Sequence, residues 1–244
     1  MKELILKSVS IDWDTVPCDS YIRDIEAVRN TFKISFSKPV TFFSGENGTG
    51  KSTVLEAIAL ALGFNPEGGT KNYMFSTYDS HSELYNALKI ERSLRRAGQG
   101  YFFRAESFYN VATMEEEYSK LGGRPRHFHL RSHGESFLEL IRSFSGNALY
   151  IMDEPEAALS PLRQLSFMAY IKDLTDRGAQ FIIATQSPIL LGMPGSEIFS
   201  FDGGKVHTVQ YEETDSYSIT RAFIMNREKV LKELFEDEDH NEES

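Results

Sequence analysis

The stretch Gly45-Glu-Asn-Gly-Thr-Gly-Lys-Ser52 decides the fold of this 244-residue chain. It satisfies every fixed position of the pattern G-x-x-x-x-G-K-[ST]. A short apolar run, 40–44, precedes it, and a segment rich in Ala, Leu and Ile, 51–62, follows it. We therefore predict a strand, a phosphate-binding loop and a helix in direct succession. Glycines let successive backbone N–H groups point inward around a phosphate, and the N-terminus of the helix adds its positive end.

The residues of this loop predict a nucleoside triphosphate and Mg²⁺ as ligands, and features further along the chain indicate that the nucleotide is ATP. Lys51 would place its charge between the β- and γ-phosphates, and the Ser52 hydroxyl would bind Mg²⁺. The loop by itself does not separate kinases, GTPases and ATPases. The expected nucleotide contacts are Gly45, Glu46, Asn47, Gly48, Thr49, Gly50, Lys51, Ser52 and Thr53.

Two acidic residues follow a second apolar run, 148–152. An acid buried at the end of a strand needs a partner, and bound Mg²⁺ is a suitable one for Asp153. Glu154 is one residue further along, where it is expected to polarise a water molecule in line with the γ-phosphate. A kinase needs no water-activating carboxylate, and the chain has no N-K-x-D sequence for guanine. These residues favour an ATPase.

Apolar and polar segments alternate along the chain, which predicts one α/β domain over residues 1–235. Residues 236–244, EDEDHNEES, are predicted to form an acidic, disordered tail. Two hairpins are expected, one around RRAGQG at 95–100 and one around Gly203-Gly204. Predicted strands are 4–11, 31–37, 40–44, 88–93, 101–105, 148–152, 180–184, 197–202 and 206–211. Predicted helices are 51–62, 114–120, 135–144, 161–176 and 218–235.

The composition favours a cytoplasmic protein that is not inserted into a membrane. The apolar run at 58–64 is far shorter than the ~20 residues that span a bilayer. Cys18 is the only cysteine, and the N-terminal segment does not resemble a secretory signal. The net charge of −10 argues against coating duplex DNA with the whole surface, but it leaves a local basic groove open. Candidates for such a groove are Arg92, Arg95, Arg96, Arg124, Arg126 and Arg131.

Four further motifs are similar to those of the ABC-type ATPases, which include transporter subunits and soluble SMC and RecF-like proteins. The segment 132–135, SHGE, resembles the signature S-G-G-Q and lies 21 residues before Asp153. The segment 153–155 matches D-E-P, and 156–161 resembles the D-loop. The segment 184–188, ATQSP, resembles the switch A-T-H-S-P. The nearest resemblance is to small stand-alone ATPases with D-E-P-E-x-x-L-S-P.

This resemblance implies a P-loop NTPase with a mixed central sheet, an N-terminal antiparallel β part and a helical signature subdomain. It also implies an ATP-promoted head-to-tail homodimer that switches a protein effector or a nucleic-acid process such as repair or defence. Ser132, Gly134 and Glu135 would contact the nucleotide of the partner subunit. Lys51, Glu154 and Gln186 are the implied catalytic residues. Glu106 is the candidate for the family's Q-loop position as a third metal ligand beside Ser52 and Asp153.

Several positions depart from the family pattern. His133 replaces the first signature glycine, Ser160 replaces the D-loop aspartate, and Gln186 replaces the switch histidine. A glutamine accepts and donates hydrogen bonds but does not carry a proton, so slow hydrolysis is expected. Two alternatives stay open: the nucleotide-binding subunit of a transporter and an ATP-binding module without hydrolysis. A zinc site formed by His127, His129 and His133 is a further, less supported alternative.

Overall fold

The computed structural model describes residues 3–70, 83–95, 97–106 and 133–239. Nine strands lie in these ranges and form two sheets. They are β1 (Leu6–Ile11), β2 (Lys33–Ser35), β3 (Val40–Ser44), β4 (Leu88–Arg92), β5 (Tyr101–Arg104), β6 (Leu149–Asp153), β7 (Gln180–Ala184), β8 (Glu197–Ser200) and β9 (His207–Val209).

The central sheet has six strands in the order β5-β6-β7-β3-β8-β9. The first five run parallel, whereas β9 pairs antiparallel with β8. The β8–β9 pair confirms the predicted terminal hairpin. Because β3 lies in the middle of the sheet, the phosphate loop that follows it leaves from the carboxyl edge, where α/β sheets commonly bind ligands. The predicted mixed central sheet is confirmed.

Both faces of the central sheet are covered, which explains why its strands are apolar without alternation. On β3, Phe43 belongs to a core shared with the N-terminal sheet, whereas Phe42 belongs to the core on the opposite face. Both side chains are fully buried. The two layers of side chains therefore fix β3, and with it the start of the loop, from both sides.

Several of the helices in the described ranges cover these two faces. The α-helices are α1 (Glu26–Arg29), α2 (Lys51–Ala61), α3 (His133–Arg142), α4 (Pro161–Asp176), α5 (Pro188–Leu191), α6 (Asp215–Met225) and α7 (Arg227–Asp239). Short 3₁₀ helices cover Tyr21–Asp24, Glu83–Ala87, Pro155–Ala158 and Tyr211–Glu213. Apolar residues of α2 pack in the core shared with β1 and β2, whereas α3 and α4 contribute to the opposite core.

The N-terminal sheet has the order β2-β1-β4 and is antiparallel, as predicted. A buried side chain joins it to the central sheet. The amide of Gln180, the first residue of β7, accepts a hydrogen bond from Leu6 N at 2.8 Å and donates one to Leu6 O at 2.9 Å. The side chain thus takes the place of a strand partner at the start of β1.

The predicted hairpin between β4 and β5 is wrong. β4 pairs with β1 in the N-terminal sheet, whereas β5 pairs in parallel with β6 in the central sheet. The glycine-rich connection crosses from one sheet to the other. Gly100 allows that crossing, because a Cβ atom there would lie 2.1 Å from the carbonyl oxygen of Leu149. The glycine that suggested a turn is required by a close approach to β6 instead.

The predicted single helix 218–235 is two helices. It divides at Asn226, whose backbone angles, φ −135° and ψ 37°, are not helical. The second helix, α7, continues to Asp239, into the segment predicted to be a tail. The predicted helix 114–120 lies outside the described residues. The division into a domain over 1–235 and a tail stays a prediction.

Candidate functional site

The phosphate loop follows β3 with three glycines in backbone conformations at positive φ. Gly45, Gly48 and Gly50 have φ values of 137°, 83° and 98°. A side chain at position 50 would also clash with its neighbours, because a Cβ atom there would lie 2.7 Å from Ile25 Cγ2 and 2.8 Å from Val28 Cγ2. The segment containing α1 thus packs directly against the start of α2. The tip of the loop, residues 46–48, is exposed.

Lys51 lies inside this loop, with only 3% of its surface exposed. Its Nζ donates hydrogen bonds to Gly45 O at 2.6 Å and to Glu46 O at 2.5 Å. Burial lowers the pKa of Lys51, and the nearby carboxyl groups, Glu154 first among them, act in the opposite direction. A buried cation at the centre of a glycine loop fits a polyphosphate.

Ser52 and Asp153 meet at the first turn of α2 and the end of β6. The Ser52 hydroxyl donates to Asp153 Oδ1 at 2.9 Å. Burial raises the pKa of Asp153 to about 6, opposed by the Ser52 hydrogen bond and the charge of Arg104. A hydroxyl and a carboxylate next to a phosphate loop are oxygen ligands of the kind that Mg²⁺ binds. The residues present therefore fit Mg²⁺ bound with a nucleotide.

Glu154 is the one non-glycine residue in the described ranges with positive φ, at φ 49° and ψ 51°. Its backbone N–H donates to Ala184 O at 3.0 Å, which extends the β6–β7 pairing by one residue. The left-handed conformation ends β6 and starts the 3₁₀ helix Pro155–Ala158. Such conformations in non-glycine residues cost energy and are concentrated at functional sites.

Gln186 and Glu154 both line an open pocket of about 440 Å³. Its side-chain Nε2 donates to Asn47 Oδ1 at 2.6 Å, so the switch segment contacts the phosphate loop. The pocket is lined by Asn47, Glu154, Glu156, Ala157, Gln164, Gln186, Ser187, Pro188 and Ile189. Three predicted site residues, Asn47, Glu154 and Gln186, therefore line one pocket.

Sequence reasoning missed two carboxyl groups in this region. Oε1 of Glu156 accepts hydrogen bonds from the switch segment. Oδ1 of Asp202 accepts a hydrogen bond from Glu46 N at 2.9 Å. Burial raises the pKa of Glu156, against the opposing effect of the Thr185 hydroxyl. The sequence signal that could have indicated Glu156 is the second glutamate of D-E-P-E, residues 153–156. Nothing local marks Asp202, since its contact depends on β8 lying beside β3.

Glu106 lies close enough to Asp153 for its charge to add to the effect of burial and raise the pKa of that carboxyl group, but 88% of its own side chain is exposed. The Arg104 guanidinium forms ion pairs with two carboxylates. Its Nη2 lies 3.6 Å from Glu106 Oε2, and its Nη1 lies 2.9 Å from Glu56 Oε2 of α2. The register of the sheet places Arg104 beside Asp153. The basic residue at this edge was also missed. The role of Glu106 as a metal ligand stays a prediction.

The signature residues are only partly described. Ser132 lies outside the described residues, whereas Gly134 and Glu135 lie in the first turn of α3. His127 and His129 of the alternative zinc site are also outside. Within the described ranges, no group of three or more His, Cys, Asp or Glu is placed to hold a metal ion. The contact of the signature with a partner's nucleotide stays a prediction.

Arg95 does not belong to a solvated basic groove. Its guanidinium donates to Glu3 O at 3.0 Å, to Gly178 O at 2.9 Å and to the Asn147 side chain. These bonds tie the crossing connection to the central sheet. Arg96, Arg124, Arg126 and Arg131 lie outside the described residues, and Arg92 is exposed.

No described helix has the length and apolar character needed to cross a membrane.

The chain was compared with family models, curated proteins and solved structures. Residues 21–140 match the family model described as AAA domain. A search of curated proteins found no match. The SMC head domain of Thermotoga maritima is similar, with 15% identity, a TM-score of 0.45 and coverage of 85% of this chain and 99% of that chain. The transporter component cbiO1 of Clostridium perfringens has 14% identity, a TM-score of 0.43 and coverage of 94% and 99%.

The family match covers the phosphate loop and α2, and the site geometry joins that loop to the D-E-P and switch segments. The match to the AAA-domain model and this geometry together bear out the predicted resemblance to a P-loop ATPase.

Proposed function

We propose that the chain is a Mg²⁺-dependent ATPase that converts ATP and water to ADP and phosphate. The observation that carries the proposal is the convergence of Lys51, Ser52 and Asp153 at the carboxyl edge of the central sheet. Bound Mg-ATP supplies the phosphoryl group and the cation that neutralises its charge. The loop N–H groups and Lys51 bind the phosphates, and Ser52 and Asp153 hold the metal.

Glu154 is proposed to accept a proton from the attacking water, and Gln186 to orient that water or the terminal phosphate by a hydrogen bond. The open pocket that both residues line supports this assignment. Gln186 has an amide where a histidine would supply a titratable ring, so hydrolysis is expected to be slow. The Asn47 contact gives that amide a fixed position beside the phosphate loop.

We further propose that ATP promotes a head-to-tail homodimer in the cytoplasm. The exposed loop tip and the openness of the pocket leave room for a cap by the partner's Ser132, Gly134 and Glu135. Contacts made only with the γ-phosphate would separate the ATP-bound and ADP-bound states. Such a dimer would switch a protein effector or a nucleic-acid process of the repair or defence type.

Thermal melts test nucleotide binding at the proposed site. Mg-ATP is expected to stabilise the wild-type protein, because a ligand that binds only the folded state raises its melting temperature. Lys51→Ala should abolish this gain, and Lys51→Met, which keeps the methylene stem, should abolish it as well. If both variants fold and gain as much as the wild type does, the site is not where ATP binds.

Complementation tests the shared site. Ser132→Arg should block the cap that one subunit gives to its partner's γ-phosphate, and Lys51→Ala should disable the subunit's own loop. Each variant alone should be inactive, whereas a mixture should regain at most one working site per heterodimer. A mixture no more active than its parents, with heterodimers confirmed by mass measurement, would exclude the head-to-tail site.

The non-hydrolysing module is the second candidate, because Gln186 lacks a titratable group. Measurement of phosphate release decides between the two. The transporter alternative is not favoured, since the chain lacks an evident Q-loop glutamine and its signature is altered.

A further inference from the structure

We propose that Glu156 is a positioning residue that holds the switch segment, Thr185 and Gln186, in register with the phosphate loop. The inference rests on the proposed ATPase function and deepens it. Glu156 lies in the 3₁₀ helix Pro155–Ala158, immediately after the two acids that end β6.

The geometry supports this through one oxygen atom. Glu156 Oε1 accepts the Thr185 hydroxyl at 2.7 Å and the Gln186 backbone N–H at 2.8 Å. Bonds between a carboxylate and such donors are stronger than those between neutral groups. Two consecutive residues of the switch are thereby tied to the segment that follows β6.

The other sides of the switch are also held. Thr185 N donates to Phe43 O at 3.1 Å, so β3 fixes the backbone just before Gln186. The Thr185 hydroxyl in turn accepts Ser187 N–H at 3.0 Å. The Gln186 side chain is then left to extend towards Asn47, which it reaches at 2.6 Å. Removal of the Glu156 carboxyl group would free Gln186, whose side chain bridges to Asn47 of the loop.

The second carboxylate oxygen of Glu156, Oε2, adds an energetic cost to the folded protein. Oε2 is buried and has no hydrogen-bond partner among the described residues. An unsatisfied buried oxygen destabilises the folded protein. The two bonds through Oε1 offset that cost, and they serve the switch rather than the core.

The test compares Glu156→Ala with Glu156→Gln. The glutamine retains an oxygen that accepts both bonds, whereas alanine loses both. In Glu156→Ala we expect kcat to fall roughly 10- to 100-fold, as for a small misplacement of a group near the chemistry, with little change in KM. Glu156→Gln should retain most of the wild-type kcat. Thr185→Val and Thr185→Ser form a second pair, in which only serine keeps the hydroxyl and the rate.

Amide hydrogen exchange gives a readout that does not depend on activity. The backbone amide hydrogen of Gln186 should exchange roughly tenfold faster in Glu156→Ala and remain protected in Glu156→Gln. Only the alanine variant lacks the side-chain oxygen that accepts the hydrogen bond of this amide. Unchanged exchange in Glu156→Ala overturns the proposal. Faster exchange with an unchanged kcat overturns the positioning role as well.

The outcomes also separate this inference from the proposed function. A wild-type protein that hydrolyses no ATP contradicts the ATPase, and the exchange comparison still decides whether Glu156 holds the switch. If Glu156→Ala does not fold, Thr185→Val decides the question. A kcat of Thr185→Val equal to that of Thr185→Ser would then overturn the proposal.

Discussion

Asp153 combines a buried carboxyl group with a position at which a metal cation is expected. Its folded-state pKa is about 6, above the ordinary value of 3.8. The folded protein therefore binds this proton more tightly than the unfolded chain does. Stability attributable to Asp153 is present below about pH 4 and is lost as the pH rises through about 6.

Asp153→Asn should remove this cost without changing the shape of the side chain. Without nucleotide, the variant should be more stable than the wild type above about pH 6, by up to about 3 kcal/mol from the shift in pKa. The gain should shrink towards about pH 4, and Mg-ATP should no longer stabilise the variant. Urea unfolding between about pH 5 and pH 8 measures this. Asp19→Asn, at an exposed position, is the control, and an equally pH-independent difference for Asp153→Asn would contradict the account.

Gln186→His should raise turnover if the missing imidazole limits the rate. An added acid–base group is worth roughly tenfold or more when it is well placed. Phosphate release at saturating Mg-ATP is the measurement. Gln186→Asn is the control, because it retains an amide and should give no gain. A histidine variant with the wild-type rate would remove the support for Gln186 as the functional switch.

The sequence predicted the residues of the site better than their contacts. The loop motif indicated Lys51 and Ser52 because its fixed residues are contiguous. The link from Glu156 to Thr185 joins residues far apart in sequence, and it exists only because β6 and β7 are neighbours in the sheet. No local pattern encodes that neighbourhood, so the carboxyl group was predicted only as the start of a D-loop.

At the scale of elements, the existence of strands was predictable, whereas their pairing was predicted correctly for β8–β9 and wrongly for β4–β5. Val40–Ser44, Pro161–Asp176 and Gln180–Ala184 have the predicted bounds. The β4–β5 hairpin failed because two strands joined by glycines pair only if no better partner is available. β1 is that partner for β4, and β6 is that partner for β5.

The pair of hydrogen bonds between the Gln180 amide and the Leu6 backbone, the Gln180 clamp, should contribute measurably to the joining of the two sheets. Gln180→Leu leaves Leu6 N–H and C=O without their side-chain partner in a buried environment. We expect a loss of about 2–4 kcal/mol in the free energy of unfolding. Urea unfolding monitored by fluorescence measures it. Thr208→Val, at an exposed position of β9, should change the free energy by less than about 0.5 kcal/mol. Equal effects of the two substitutions would show that the clamp adds nothing.

At the scale of the whole molecule, the described residues leave the candidate site at an edge that is open to solvent. The exposed loop tip, the pocket and the 3₁₀ helix after β6 lie at the carboxyl ends of the parallel strands. A single subunit therefore leaves the proposed nucleotide partly uncovered. This arrangement is what a second subunit in the proposed dimer would close.

Glu154→Gln should accumulate as a dimer in the presence of Mg-ATP. The amide keeps the shape of the side chain but accepts no proton from water. The ATP in the closed dimer is therefore not hydrolysed, and the two subunits stay together. Sedimentation velocity measures the change, with Lys51→Ala as the control that should stay monomeric. A Glu154→Gln protein that remains monomeric at high concentration and hydrolyses normally would contradict both the role of Glu154 and the dimer.

Phosphate release from Mg-ATP by the purified wild-type chain tests the central claim most directly. The account predicts slow, Mg²⁺-dependent release that is lost in both Lys51→Ala and Glu154→Gln, although Glu154→Gln still gains thermal stability from Mg-ATP. Release that continues undiminished in both folded variants, or no release by a wild-type chain that binds Mg-ATP, would contradict it.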